Sequence, residues 1–138
     1  SSTPIVLAVP ANHPLAKTKR VKLKDIAREH HLYSTNDSST AFDRKLGDLL
    51  TSAGVYLTSN IQPLSTLIGL EMVRRGYGVM LATLDSIPQT EDISLVPIDE
   101  RDARLERAVV WKKDNPNPTL KYFLSLLKNG DYAFTNRK

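Results

Sequence analysis

Histidine binds metals and moves protons near neutral pH more readily than any other side chain, so the three histidines are the first candidates for chemistry. His13 stands before Pro14 in a turn, and His30 and His31 lie side by side between a helix-like and a strand-like stretch. A zinc helix needs two ligands on one face, and neither arrangement supplies that spacing. The chain has no cysteine, which rules out thiolate ligands, thiol nucleophiles and disulfides and fits a reducing compartment. It has no nucleophile elbow of the form G-x-S-x-G and no phosphate loop of the form G-x-x-x-x-G-K-[ST]. Gly76-Tyr77-Gly78 contains two glycines of a dinucleotide fingerprint, but it follows a helical pattern and precedes a strand, the wrong order for that motif. It reads as a tight turn. No active site, metal or cofactor is expected.

Binding is the better-supported chemistry. In open α/β sheets, ligands collect at the carboxyl ends of strands, where helix N-termini point unpaired N–H groups outward. Ser34-Thr35-Asn36-Asp37-Ser38-Ser39-Thr40 occupies such a strand-to-helix position, and its hydroxyls and amides suit a carboxylate or similar small anion. The competing reading is that Ser38, Ser39 and Thr40 form only a turn and a cap; the residues alone leave both open. Gln62, Ser65 and Thr66 repeat the pattern more weakly at the next helix start.

The elements that would position these residues alternate between strand and helix patterns, the signature of α/β architecture. Ile5 to Val9 is a continuous apolar run ended by Pro10, as in a strand buried on both faces. Val21 to Ala27 reads as a short helix burying Leu23, Ile26 and Ala27, and Leu32 to Thr35 as a second strand. Thr40 and Asp43 have capping-box spacing, Phe42, Leu46, Leu49, Leu50 and Ala53 recur at helical intervals, and Gly54 supplies a stop. Val55 to Ile61 is a predicted strand. Pro63 is expected to open a helix whose apolar residues, Leu64, Leu67, Ile68, Leu70, Met72 and Val73, cover most of its circumference, so packing on more than one side is expected. Gly69 within it points to close backbone packing. Short strands are predicted at Val79–Ala82, Ile93–Ile98 and Ala108–Trp111. Asn117-Pro118 starts a last helix with a buried stripe of Leu120, Phe123, Leu124 and Leu127, stopped by Gly130.

With 138 residues, 41% hydrophobic and 25% charged, the chain is one domain's worth of ordinary globular protein or less. No apolar run approaches the roughly 18 residues of a membrane span, and no signal-peptide pattern is present, so a cytoplasmic location and no membrane contact are expected. The net charge is +4, with Lys17, Lys19, Arg20, Lys22 and Lys24 clustered. That cluster reads first as a solvated surface, because it lacks the interleaved aromatics or recognition helix of a nucleic-acid site. The excess charge mildly favours anionic ligands.

Three stretches together resemble the second half of the effector domain of LysR-type transcriptional regulators. Ile5-Val6-Leu7-Ala8-Val9-Pro10-Ala11-Asn12-His13-Pro14-Leu15-Ala16, followed by Val21-Lys22-Leu23-Lys24-Asp25-Ile26, resembles the strand and "HPLA" entering that family's second subdomain. Leu64 to Leu81 resembles its helix, G-x-G turn and strand. Ala108 to Asp114 with the helix to Leu127 resembles its closing strand and helix. The family usually has Leu-Pro after the G-x-G strand, and here Leu81 is followed by Ala82.

The resemblance implies an α/β, type 2 periplasmic-binding-protein-like fold. This chain would be one Rossmann-like subdomain of a two-lobed effector domain whose first lobe lies outside it. Residues 1–102 would form that subdomain, 103–128 a crossover strand and helix returning towards the other lobe, and 129–138 a tail. The implied effector is a small organic anion held by Ser38, Ser39, Thr40, Ala41 and Phe42; Ser65 and Thr66 remain candidates from the helix-start pattern alone. Pairing into a homodimer or tetramer would use Phe42, Lys45, Leu46, Leu49, Leu50, Tyr56 and Thr58, and DNA would be contacted only through an N-terminal winged helix-turn-helix outside this chain. Two other readings share the architecture: a periplasmic-type solute-binding protein, and a fragment of an α/β enzyme.

Overall fold

The computed structural model describes residues 1–32, 40–57, 61 and 63–128. Ser38, Ser39, Thr58, Gln62, the tail 129–138 with Gly130, and the expected second strand beyond Leu32 lie outside the described residues.

Strand β1 (Ser2–Pro10) is central, with β2 (Met80–Thr83) on one side and β3 (Ile93–Pro97) on the other, both antiparallel to it. Leu7 lies opposite Leu81 in β2 and Val96 in β3. β4 (Arg104–Glu106) also pairs with β1, Ile5 N donating to Ala103 O at 2.9 Å. Parallel single-residue bridges widen the sheet: Val21 to Ile98, His31 to Val79, and Leu32 to Ile61. The unbroken apolar run of β1 has a direct cause. Side chains alternate across a strand, so Ile5, Leu7 and Val9 enter one apolar cluster while Val6 and Ala8 enter the other. β2 divides likewise, Leu81 to the first and Met80 and Ala82 to the second.

Helix α1 (Ala41–Ala53) closes the first cluster with Leu46 and Leu49. Thr40 caps it and Gly54, in the left-handed region at φ 64°, ends it, as the sequence pattern predicts. Helix α2 (Thr66–Arg74) closes the second cluster with Leu70 and Val73. Gly69 packs closely: a Cβ would stand 2.7 Å from Met80 Sδ and 3.2 Å from Pro63 Cγ, so the Met80 side chain would have to shift. The Gly76-Tyr77-Gly78 turn joins α2 to the sheet. A Cβ on Gly78 would fall 2.3 Å from the carbonyl oxygen of His30, whose bond from Val79 N (2.8 Å) sets the register of that edge.

Several expectations need correction. Of the expected strand Val55–Ile61, residues 55–57 form no strand and Ile61 makes a single bridge. Val21–Ala27 is a run of turns, not a helix. Its backbone is committed elsewhere: Val21 N donates to Pro97 O (3.0 Å), Asp99 N to Val21 O (2.8 Å), and Leu23 N to Glu100 Oε1 (3.1 Å). Leu23 and Ile26 are nevertheless buried, with Ala27 packed against them. α2 starts one turn later than Pro63, because Ser65 takes the cap by accepting from Ile68 N (3.3 Å). Nor is α2 enclosed on several sides: Leu64 is 75% and Leu67 69% exposed. The last strand is Arg104–Glu106 rather than Ala108–Trp111. Its ladder ends where β1 begins, with Arg107 N donating to Ser1 O (2.8 Å), and Val110 is 89% exposed.

The chain divides into two compact units, Thr3–Leu105 and a second comprising Ser1–Ser2 with the chain from Glu106 onward. In the second, α3 (Pro118–Lys128) begins as expected at Asn117, whose Oδ1 accepts from Thr119 N (3.0 Å). Leu120, Leu124 and Leu127 are only half-buried and Phe123 is exposed, because this small unit offers the helix little surface to pack on.

Candidate ligand site

The two helix N-termini of the larger unit follow neighbouring segments of the sheet. Leu32 N donates to Val79 O (2.8 Å), and Leu32 is itself bridged in parallel to Ile61. From Leu32 the chain leads to Thr40, the cap of α1; from Ile61 it leads to Ser65, the cap of α2. Each helix therefore starts on the carboxyl side of its segment, where α/β sheets bind ligands.

The first turns differ in charge. At α1, Thr40 Oγ1 accepts from Asp43 N (3.1 Å) and its hydroxyl donates to Asp43 Oδ2. The buried Asp43 carboxylate thus already occupies the positive end of that helix. At α2 no acidic residue stands in the first turn, and Ser65 and Thr66 are partly open to solvent. Leu64, Leu67 and Ile68 expose apolar surface beside it. Such a terminus suits an anionic group attached to an apolar body.

Of the other residues to which the sequence points, Ala41 is exposed and Phe42 packs half-buried on the first cluster. Of the residues expected at a subunit interface on α1, Leu46 and Leu49 are buried, and Phe42, Lys45 and Leu50 are half-buried. Tyr56 beyond it is 91% exposed. The exposed Leu64, Leu67 and Ile68 are legible in the sequence only as an over-wide apolar stripe, and nothing there marks which side stays open.

The histidines make contacts of their own. His31 is buried, its Nε2 lies 2.7 Å from Ile26 O, and burial lowers its pKa from the usual 6.5. Its buried Nδ1 has no hydrogen-bond partner among the described residues. His13 Nδ1 accepts from Leu15 N (3.2 Å), and its Nε2 lies 3.6 Å from Glu29 Oε2. Among the described residues, no group of three or more His, Asp or Glu could hold a metal ion. His13, Glu29, His30 and Tyr77 line an open depression of about 290 Å³ at the other end of β1, which includes none of the expected ligand residues.

Residues 1–131 match the family model of the LysR substrate binding domain. The chain belongs to this family. As a LysR substrate-binding domain, it is 30% identical over 115 residues to an uncharacterized HTH-type transcriptional regulator of Escherichia coli K12, YnfL, a match covering 80% of this chain and 37% of that protein. Among solved structures, the BenM effector binding domain with its effector benzoate is similar at TM-score 0.61 and 25% identity, over 75% of this chain and 48% of that one. The effector binding domain of QuiR in complex with shikimate aligns at TM-score 0.70 and 17% identity, over 91% and 59%. This chain thus spans less than two thirds of each, and its fold is that of the type 2 periplasmic-binding-protein-like effector domains. No helix among the described residues is long and apolar enough to cross a membrane. At the position where family members usually carry proline, this LysR domain keeps Ala82 buried within β2, opposite Val6.

Proposed function

We propose that this domain senses a small organic carboxylate on behalf of a transcriptional regulator that contacts DNA through a segment outside this chain. The observation that carries the reading is the N-terminus of α2: a hydroxyl cap, no acid in the first turn, exposed apolar side chains alongside, and a position on the carboxyl side of a bridged sheet segment. The BenM effector domain, a relative in fold and sequence, holds benzoate, which has that combination of charge and apolar ring. The wider Ser38–Phe42 segment is assigned to the same proposed site, with the backbone amides of Thr40 and Ala41 as donors, because the Thr40 hydroxyl already donates to Asp43 and that carboxylate offsets the positive end of α1. Binding between two lobes would shift the population of lobe orientations, and so the arrangement of the dimeric or tetrameric regulator on DNA, only as far as the ligand favours one orientation.

The test is calorimetric titration with benzoate and, in parallel, neutral benzamide. Benzoate is expected to bind this chain more weakly than about 1 μM, because one lobe supplies only part of a cleft, with a dissociation free energy below about 8 kcal/mol. Ile68→Asp places a carboxylate at the third helical position of α2, as in α1. It is expected to weaken benzoate binding about tenfold while leaving the helix intact. Equal binding of benzamide, or an unaffected Ile68→Asp variant, would remove the basis of the assignment.

A further inference from the structure

The cationic segment between Lys17 and Lys24 carries an inference independent of the effector reading. Lys17 closes the 3-10 turn Pro14–Lys17, and the chain then runs along the sheet edge, where Val21 bridges Ile98. Val21 and Leu23 are buried, and the residues around them, Lys17, Lys19, Arg20, Lys22 and Lys24, are all exposed. Three carboxylates beside the strip make other contacts and offset part of its charge. Asp99 pairs with Arg20 (3.4 Å), Asp25 Oδ2 accepts from Lys22 N (3.3 Å), and Glu100 Oε1 accepts from Leu23 N (3.1 Å). Among the described residues, Lys17, Lys19, Lys22 and Lys24 make no ion pair.

We infer that this lysine edge docks on the phosphate backbone of duplex DNA without reading its sequence. Several features select that partner. Its unpaired charges are lysine ammonium groups, point charges that suit phosphates, while the guanidinium of Arg20 is held by Asp99. No large hydrophobic side chain is exposed between residues 14 and 24, so there is neither a stacking platform for single strands nor a desolvated anchor of the kind a protein partner needs. In a regulator held on DNA by another segment, such contacts would add salt-sensitive affinity outside the recognised sequence.

The test is fluorescence anisotropy of the 138-residue chain with a labelled duplex of arbitrary sequence over a salt series and no effector present. Four lysine–phosphate contacts should give a log–log salt slope of about −3.6, roughly a hundredfold loss of affinity between about 50 and 200 mM salt. Replacing Lys17, Lys19, Lys22 and Lys24 by Gln should flatten the slope and weaken low-salt binding about tenfold or more. Replacing Lys112, Lys113 and Lys121 by Gln should leave both nearly unchanged. The inference is overturned by absence of duplex binding, by equal losses in the two variants, or by tighter binding to polyglutamate than to the duplex. Because no effector enters the measurement, failure here leaves the carboxylate assignment untouched, and the reverse also holds.

Discussion

α1 and α2 begin in the same way, each with a hydroxyl that accepts from the amide of its third helical residue, Asp43 in one and Ile68 in the other. In α1 that residue is a buried carboxylate, which supplies its own counter-charge to the helix dipole. In α2 it is an apolar side chain, and the positive end is left to solvent or a ligand. Two caps that look alike in sequence therefore differ in charge: Asp43 supplies a counter-charge at α1, and the first turn of α2 carries no acid. A cap residue by itself does not mark a ligand site; the proposed site at α2 rests on the charge of the first turn as well.

The largest expected effect removes the frame on which the comparison rests. Gly78→Ala forces a Cβ into the His30 carbonyl and should destabilise the domain by about 3 kcal/mol in urea unfolding. A loss under about 1 kcal/mol would mean that the edge of the sheet yields easily. Thr40→Val should cost about 1–2 kcal/mol, since it strips both the cap and the hydroxyl partner of buried Asp43, while Ser65→Ala should cost less because its cap is longer and exposed. Equal losses at the two positions would dissolve the distinction. Gly47 lies exposed inside α1 with no atom within 4 Å of a Cβ, so Gly47→Ala should stabilise by about 1 kcal/mol, visible as a raised Tm.

The smallest effect is a pH dependence at the strand segment leading to α1. Burial holds the His31 pKa below 6.5, so the unfolded chain binds the extra proton first as pH falls. The stability linked to neutral His31 is fully present above about pH 6.5 and is lost as pH drops through that value towards the lower folded pKa. Unfolding curves between about pH 7.5 and 5 should show this slope, and His31→Gln should flatten it.

Some elements are fully legible in the order of the amino acids. β1 and α1 follow from apolar periodicity, the Thr40–Asp43 spacing and Gly54, because the interactions that define them are local in sequence. Gly69 is recognisable as a close-packing position, although its partners Met80 and Pro63 are not. The turns at Val21–Ala27 carry a helical pattern yet form no helix, because Pro97, Asp99 and Glu100, remote in sequence, claim the backbone there. The final strand departs from its pattern for a related reason. Its apolar residues suggest Ala108–Trp111, but pairing is set by where β1 begins.

What the amino-acid order determined alone was the α/β alternation, the family resemblance and the hydroxyl-rich starts of two helices, since each depends on neighbours within a turn or two. Only tertiary structure decided which side of α2 stays uncovered, that Leu46 and Leu49 face the core, and that the lysines from 17 to 24 keep their charges unpaired. Those outcomes depend on which distant groups arrive beside each residue, and burial and ion pairing are properties of that arrangement rather than of the segment itself.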